Sequence, residues 1–175
     1  MKKIIAAIVL LVIGTSAFAQ NNITKARISF ELKNLGIKTG GVIGGVQGNI
    51  NFDPAKLATS RIEATADVNT INTDNDMRDE HLKKPDYFDV EKYPKMSLSS
   101  VSFKKNNGNN FIGQFNLTIK GITKLVDVPF TYAATSTANL FKGSFKINRK
   151  DFKIGGNSMT MSDDVTINFE AEAAK

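Results

Sequence analysis

The sequence predicts an all-β protein: an antiparallel barrel of eight strands with one short helix near its mouth. Two observations carry this reading. Segment after segment alternates apolar and polar residues, the period-2 signature of half-buried strands, and turn residues fall between the segments where a meander needs them. A third argument is physical. Eight antiparallel strands with one apolar face leave unpaired edges, and closing into a barrel removes them.

The N-terminus stands apart from that pattern. Met1-Lys2-Lys3, an apolar run over residues 4–13 and the closing Ala17-Phe18-Ala19 are the parts of a secretory signal peptide. The run is too short for a membrane span, which takes about twenty apolar residues. Cleavage is expected after Ala19, leaving residues 20–175 in the periplasm or outside the cell. Those 156 residues, 175 less 19, suit a single domain with one core.

In the first strand Ile28, Phe30 and Leu32 alternate with Arg27, Ser29, Glu31 and Lys33. The second, residues 42–52, contains Gly44, Gly45 and Gly48, and glycine inside a strand marks a bend, a bulge or a close approach. Asp53-Pro54 starts a brief helical turn, and Ile62, Ala64, Ala66 and Val68 form the third strand. Residues 73–84 read as the one helix, capped by Thr73 or Asp74 and stopped by Pro85. Short and mostly polar, it lies over the barrel rather than inside it. The fourth strand, residues 96–103, loses its alternation near Ser99-Ser100, which predicts a bulge. A polar hairpin loop at residues 105–109 and a tighter turn at Lys120-Gly121 bracket the fifth strand, residues 111–119. Residues 126–132, 141–147 and 165–171 complete the eight.

Composition narrows the function. With no cysteine, the chain has no disulfide, no thiolate chemistry and no lipid-modified cysteine. Removing Lys2 and Lys3 from 23 basic residues leaves 21 against 17 acidic. The excess is modest and the lysines are scattered singly, as on a solvated barrel exterior, so no nucleic-acid partner is expected. Lys120, Lys124 and Lys153 are candidates for transient contact with an anionic membrane surface.

The densest polar cluster is Asp74, Asp76, Arg78, Asp79, Glu80 and His81. A metal site there is disfavoured: His81 is the chain's one histidine, and Arg78 stands where a calcium loop needs a ligand. An enzyme would have to work through Asp79 and His81, and no serine-centred strand-to-helix turn accompanies them. The simpler reading is that Arg78 and Asp79 pin the helix at the barrel mouth. The glycine pairs at 40–41 and 44–45 lack the following helix and the Gly-Lys-Ser/Thr of a phosphate loop. That leaves the apolar face, where large and small residues alternate on inward registers. Such alternation fits both a filled taper and a lined cavity.

Met77-Arg78-Asp79-Glu80-His81-Leu82, followed by Tyr87-Phe88-Asp89 and Tyr93-Pro94, resembles the hallmark of the YceI-like, polyisoprenoid-binding family. Residues 48–54 resemble its Gly-x-Ile-x-Phe-Asp-Pro, residues 117–124 its Leu-Thr-Ile-x-Gly-x-Thr-Lys, and residues 147–152 its late Arg-x-aromatic element. Phe152 stands where tryptophan is common and Leu98 where many relatives have phenylalanine, departures that bear on ligand length and identity. The resemblance implies a lipocalin-like barrel, exported and often dimeric, that needs no cofactor and carries an isoprenoid quinone, its precursor or a similar amphiphile in an apolar tunnel.

On that reading Phe30, Phe52, Ile71, Phe88, Met96, Leu98, Phe115, Leu117, Phe130, Phe145 and Phe169 line the tunnel, from alternation for most and from the hallmark segment for Phe88. Arg78, Asp79, His81 and Arg149 are the candidates for a polar head group at the mouth. Two other functions compete: an enzyme acting on a lipid through Asp79 and His81, and a filled barrel whose outer face is an interaction module.

Overall fold

The computed structural model describes residues 22–175. The expected signal peptide and its cleavage site lie outside them. Nine strands, β1 (Ile23–Asn34), β2 (Ile37–Ile43), β3 (Gln47–Asn51), β4 (Arg61–Asp67), β5 (Lys95–Lys105), β6 (Asn110–Ile119), β7 (Ile122–Ala134), β8 (Ala138–Asn148) and β9 (Asp164–Ala174), form one antiparallel sheet. Its order is β2-β1-β9-β8-β7-β6-β5-β4-β3. The two ends of that order are consecutive in the chain, so the sheet curls into a barrel.

Nine strands replace the expected eight because residues 37–41, which the sequence pattern assigns to no strand, join Val42 and Ile43 as β2, and because the segment 42–52 is broken. Its first part pairs with β1 and its second with β4. The break is at Gly44-Gly45-Val46, where the Gly44 carbonyl accepts from Asp67 N at 3.1 Å. Gly45 adopts φ +60°, and a Cβ there would lie 2.7 Å from that of Asp67, so the chain bends toward β4 only because this residue is glycine. A seam is left between the first residues of β1 and the bend.

Local signals in the sequence recur with small shifts. The bulge predicted near Ser99-Ser100 is at Val101, between the pairs Ser100 with Phe115 and Ser102 with Gln114. The tight turn at Lys120-Gly121 has positive φ at both residues, 52° and 72°. So does Leu35-Gly36, at 52° and 78°. Both have the sign pattern of the type I′ turn that suits two-residue hairpins. A leucine in the left-handed region costs about 1–2 kcal/mol.

The helix α1 (Asp76–Leu82) is shorter than the sequence predicts. Asn75 caps it instead of Thr73 or Asp74, its side chain accepting from Arg78 N at 2.9 Å. Asp74 is excluded by its left-handed backbone, φ +58°, and Thr73 is engaged elsewhere. The segment after α1 folds back over the barrel end, with Phe88 N donating to the Leu82 carbonyl at 3.0 Å.

The interior is built in two regions along the barrel axis. At the end where β6 begins, Phe52, Phe103, Phe111, Phe115, Phe130 and Phe141 pack together with Tyr132. At the other, Leu117, Ile119, Ile147, Phe152, Ile154 and Val165 meet Tyr87 and Phe88 from the covering segment. Ile43, Ala66 and Ile71 make a smaller cluster beside the bend.

Candidate functional site: an apolar cavity along the barrel axis

Between the two regions the side chains leave a cavity of about 220 Å³. It runs from Phe130 and Phe141 at the aromatic end to Tyr87, Ile154 and Met161 at the other, with Phe30, Leu32, Leu98 and Leu117 between. Every strand contributes wall residues because inward registers recur every second position. Ala26, Ile28 and Val46 carry the wall to the seam.

Nine of the eleven predicted lining residues stand on this wall: Phe30, Phe88, Met96, Leu98, Phe115, Leu117, Phe130, Phe145 and Phe169. Phe52 and Ile71 do not. Both face inward, but Phe52 is only 6% exposed and holds ring contacts at 5.1–5.7 Å with Phe103, Phe111, Phe130, Phe141 and Tyr132. It is the plug of the aromatic end. Ile71 is consumed by packing in the cluster of Ile43 and Ala66. Alternation assigns a side chain to a face and says nothing about what fills the space beyond it.

Three of the four proposed head-group residues are engaged within the protein. Asp79 Oδ1 accepts from Thr73 N at 3.0 Å and from Thr73 Oγ1 at 2.5 Å. Arg78 donates through Nε to Thr73 Oγ1 at 2.8 Å and through Nη2 to the Thr73 carbonyl at 2.5 Å. Together they pin α1 to the end of the barrel. Arg149 is 2% exposed and spends its donors on a loop. Nε donates to the Ser162 carbonyl, Nη1 to those of Ile154 and Gly156, and Nη2 to Met161 O at 3.4 Å and Asp163 Oδ1 at 2.9 Å. A guanidinium has five N–H donors, so none is left over for a head group. Its edge still touches the cavity, where it holds Ile154 and Met161 in the wall.

Asp163 answers that charge. Lys150 Nζ lies 2.8 Å from its second oxygen, and the hydrogen bond to Lys150, with the charges of Lys150 and Arg149, holds the carboxyl below the usual carboxylate range.

His81 is exposed and places its ring edge-on to Tyr87, centroids 4.9 Å apart. It faces a shallow polar cleft shared with Asp86, Lys120 and Lys153. Tyr87 belongs to both cleft and cavity, so the two adjoin at this residue. Lys120 Nζ is anchored on the carbonyls of Pro85 at 2.5 Å and Lys153 at 3.2 Å. In the sequence Lys120 and Lys153 stand out only as candidates for membrane contact, and nothing there marks Tyr87 as a mouth residue. The hint for Lys120 is local: Lys120-Gly121 is a turn, and a turn at this end projects its lysine toward the covering segment. Asp79 and His81, two positions apart on one helix, do not face each other and form no dyad.

A family model described as the YceI-like domain matches residues 20–173. A UPF0312 protein of Yersinia enterocolitica is 27% identical over 174 residues, 93% of this chain and 90% of its own length. One from Photorhabdus laumondii is 32% identical over 102 residues, and the match spans 58% of this chain and 53% of that relative. Among solved structures, BcnA of Burkholderia cenocepacia superposes with a TM-score of 0.81 at 28% identity, over 85% of this chain and 96% of its own. A polyisoprenoid binding domain from Saccharophagus degradans superposes at 0.68 over 89% of this chain and 98% of its own, with 13% identity, a likeness of fold alone.

Proposed function

The chain belongs to the YceI-like family, and on that premise we propose that it is an exported carrier or reservoir for one long-chain isoprenoid, such as an isoprenoid quinone or its precursor. The observation that carries the reading is the continuous apolar cavity along the barrel axis. The fold likeness to a polyisoprenoid binding domain supports the ligand class, and the signal-like N-terminus supports export.

Burial of methylene groups is worth about 0.8 kcal/mol each, so a tail binds without a specific polar anchor. Volume sets a limit. A cavity of ~150 Å³ admits one benzene, so 220 Å³ takes roughly two isoprene units before any side chain moves. A longer tail is accommodated by displacing unbranched, adaptable side chains such as Met96, or by leaving its polar end in the cleft beside Tyr87. His81, Lys120 and Lys153 would then meet the head group. No cofactor or catalytic residue enters this function, and contact with an anionic membrane surface is the route by which lipid arrives.

The test is mass spectrometry of an organic extract from natively purified protein. The expected result is one dominant long-chain isoprenoid at near-stoichiometric load. Protein that yields no lipid and takes up none from solution would overturn the reading in favour of an interaction module. Turnover of a lipid that disappears in His81→Ala would favour an enzyme.

A further inference from the structure

We propose that the tip of the β1–β2 hairpin docks the protein on an anionic lipid bilayer; this rests on the carrier reading and names the surface with which lipid is exchanged. The tip reads Lys33-Asn34-Leu35-Gly36-Ile37-Lys38, and three of its features are unfavourable within the molecule itself.

Leu35 and Ile37 are 73% and 70% exposed, although water disfavours both side chains. Leu35 also occupies a left-handed backbone position, φ +52°, where asparagine, aspartate or glycine makes the turn more easily. Lys33 stands directly opposite Lys38 across the hairpin, a like-charge cross-strand pair. Lys38 reaches Glu31 at 3.5 Å with both groups largely in water, and among the described ion pairs Lys33 has none. An apolar phase beneath a negative surface relieves the first and the third at once, and it gives the leucine at the strained turn position a use that asparagine or glycine would not have. The aliphatic tips leave water, and both ammonium groups meet anionic head groups.

The tip is also in the right place. Leu35 N donates to the Thr160 carbonyl at 2.9 Å and Ser162 N to that of Lys33 at 2.8 Å. This brings fully exposed Met159 to the same end of the barrel. Directly behind the tip, Asn34 bridges Met161, and Met161 and Leu32 belong to the cavity wall. A bilayer seated here lies against the end of the tunnel.

The experiment is sedimentation of the mature protein with vesicles of phosphatidylcholine, with and without phosphatidylglycerol. The wild type is expected to bind the mixed vesicles and to release as salt rises. Leu35→Asp with Ile37→Asp should weaken binding by roughly tenfold or more, since two aliphatic side chains no longer leave water. Lys33→Gln with Lys38→Gln should weaken it and flatten its salt dependence. Leu35→Asn keeps the test independent of folding: asparagine suits the turn, so thermal stability should rise while vesicle binding falls. None of these residues is on the cavity wall, so every variant should hold isoprenoid supplied in detergent as the wild type does, while loading from anionic vesicles slows with docking.

Wild-type protein that carries lipid but ignores anionic vesicles would overturn the docking proposal alone. So would variants that bind as the wild type does, or a wild-type dimer that the tip variants convert to monomer. Vesicle binding by a protein that never yields lipid would instead overturn the carrier reading and leave the docking surface standing.

Discussion

Asn22 bridges Asn49 across the seam of the barrel on the same register that pairs Ile28 with Ile43. The two pairs are six positions apart on both strands, so no residue is inserted between them. Residues 44–48 have swung toward β4 while keeping step with β1, and the barrel is joined above and below a short slit.

Counting from those two pairs matches Thr24, where β1 shifts register against β9, with Gln47; both are exposed, in a chain with no cysteine of its own. The double variant Thr24→Cys, Gln47→Cys should form a disulfide across the slit on oxidation. Uptake of a fluorescent isoprenoid analogue is expected to slow in the oxidised form and to recover with reductant. Equal rates in the two forms would mean that lipid passes only through the barrel end.

Leu117 is 8% exposed and belongs to the cavity wall midway along the axis. An aspartate there would place a carboxylate inside the barrel. In a filled core the penalty is several kcal/mol, a large part of a domain's total of roughly 5–15 kcal/mol. Beside a cavity that admits water once emptied, the charge is partly hydrated. Leu117→Asp should therefore stay folded by circular dichroism and lose its lipid; global unfolding would mean that the space does not open to water.

Truncating the plug should have the opposite signature. Phe52→Ala removes a ring with five aromatic neighbours, and deletions of this kind cost about 3–5 kcal/mol. The space it vacates extends the cavity past Phe130. A lower melting temperature together with a shift of the bound lipids toward longer tails is expected, and an unchanged chain-length distribution would show that Phe52 does not limit the tunnel.

Arg149 predicts a stability defect rather than a binding defect. Four carbonyls and Asp163 converge on its buried guanidinium, and a buried acceptor left without its donor costs about 1–3 kcal/mol. Arg149→Ala should lower the denaturation midpoint accordingly. Arg149→Lys should not restore it, because one ammonium lacks the planar fork that reaches five acceptors.

Acid should loosen the same loop. The carboxyl of Asp163 is held below its usual range by Lys150 and Arg149. A depressed folded pKa contributes stability above the unfolded value of about 4, and that contribution is lost as pH falls through the folded value. Amide exchange over residues 153–163 should accelerate in that window. Asp163→Asn should exchange faster near neutrality and lack the acid step, and an NMR titration midpoint at or above that of free aspartate would contradict the assignment.

The sequence by itself determined the strand faces, the antiparallel barrel, the bulge near Ser100, the turn at Lys120-Gly121 and, through the segment around Arg78-Asp79 and Tyr93-Pro94, the family. These are properties of short windows, in which alternation, turn residues and a motif are visible without knowing what lies opposite. Tertiary structure alone decided that Phe52 plugs while Phe130 lines, that Arg149 is consumed by one loop, and that residues 42–52 break at Gly44-Gly45. It also brought Leu35 and Met159 to the same end as the cavity wall at Met161. The reason is that an empty volume, a donor's last free hydrogen and a shared rim belong to no single strand. Each is what remains after all the strands have packed, and period-2 patterning, which sorts inside from outside, carries no information about that remainder.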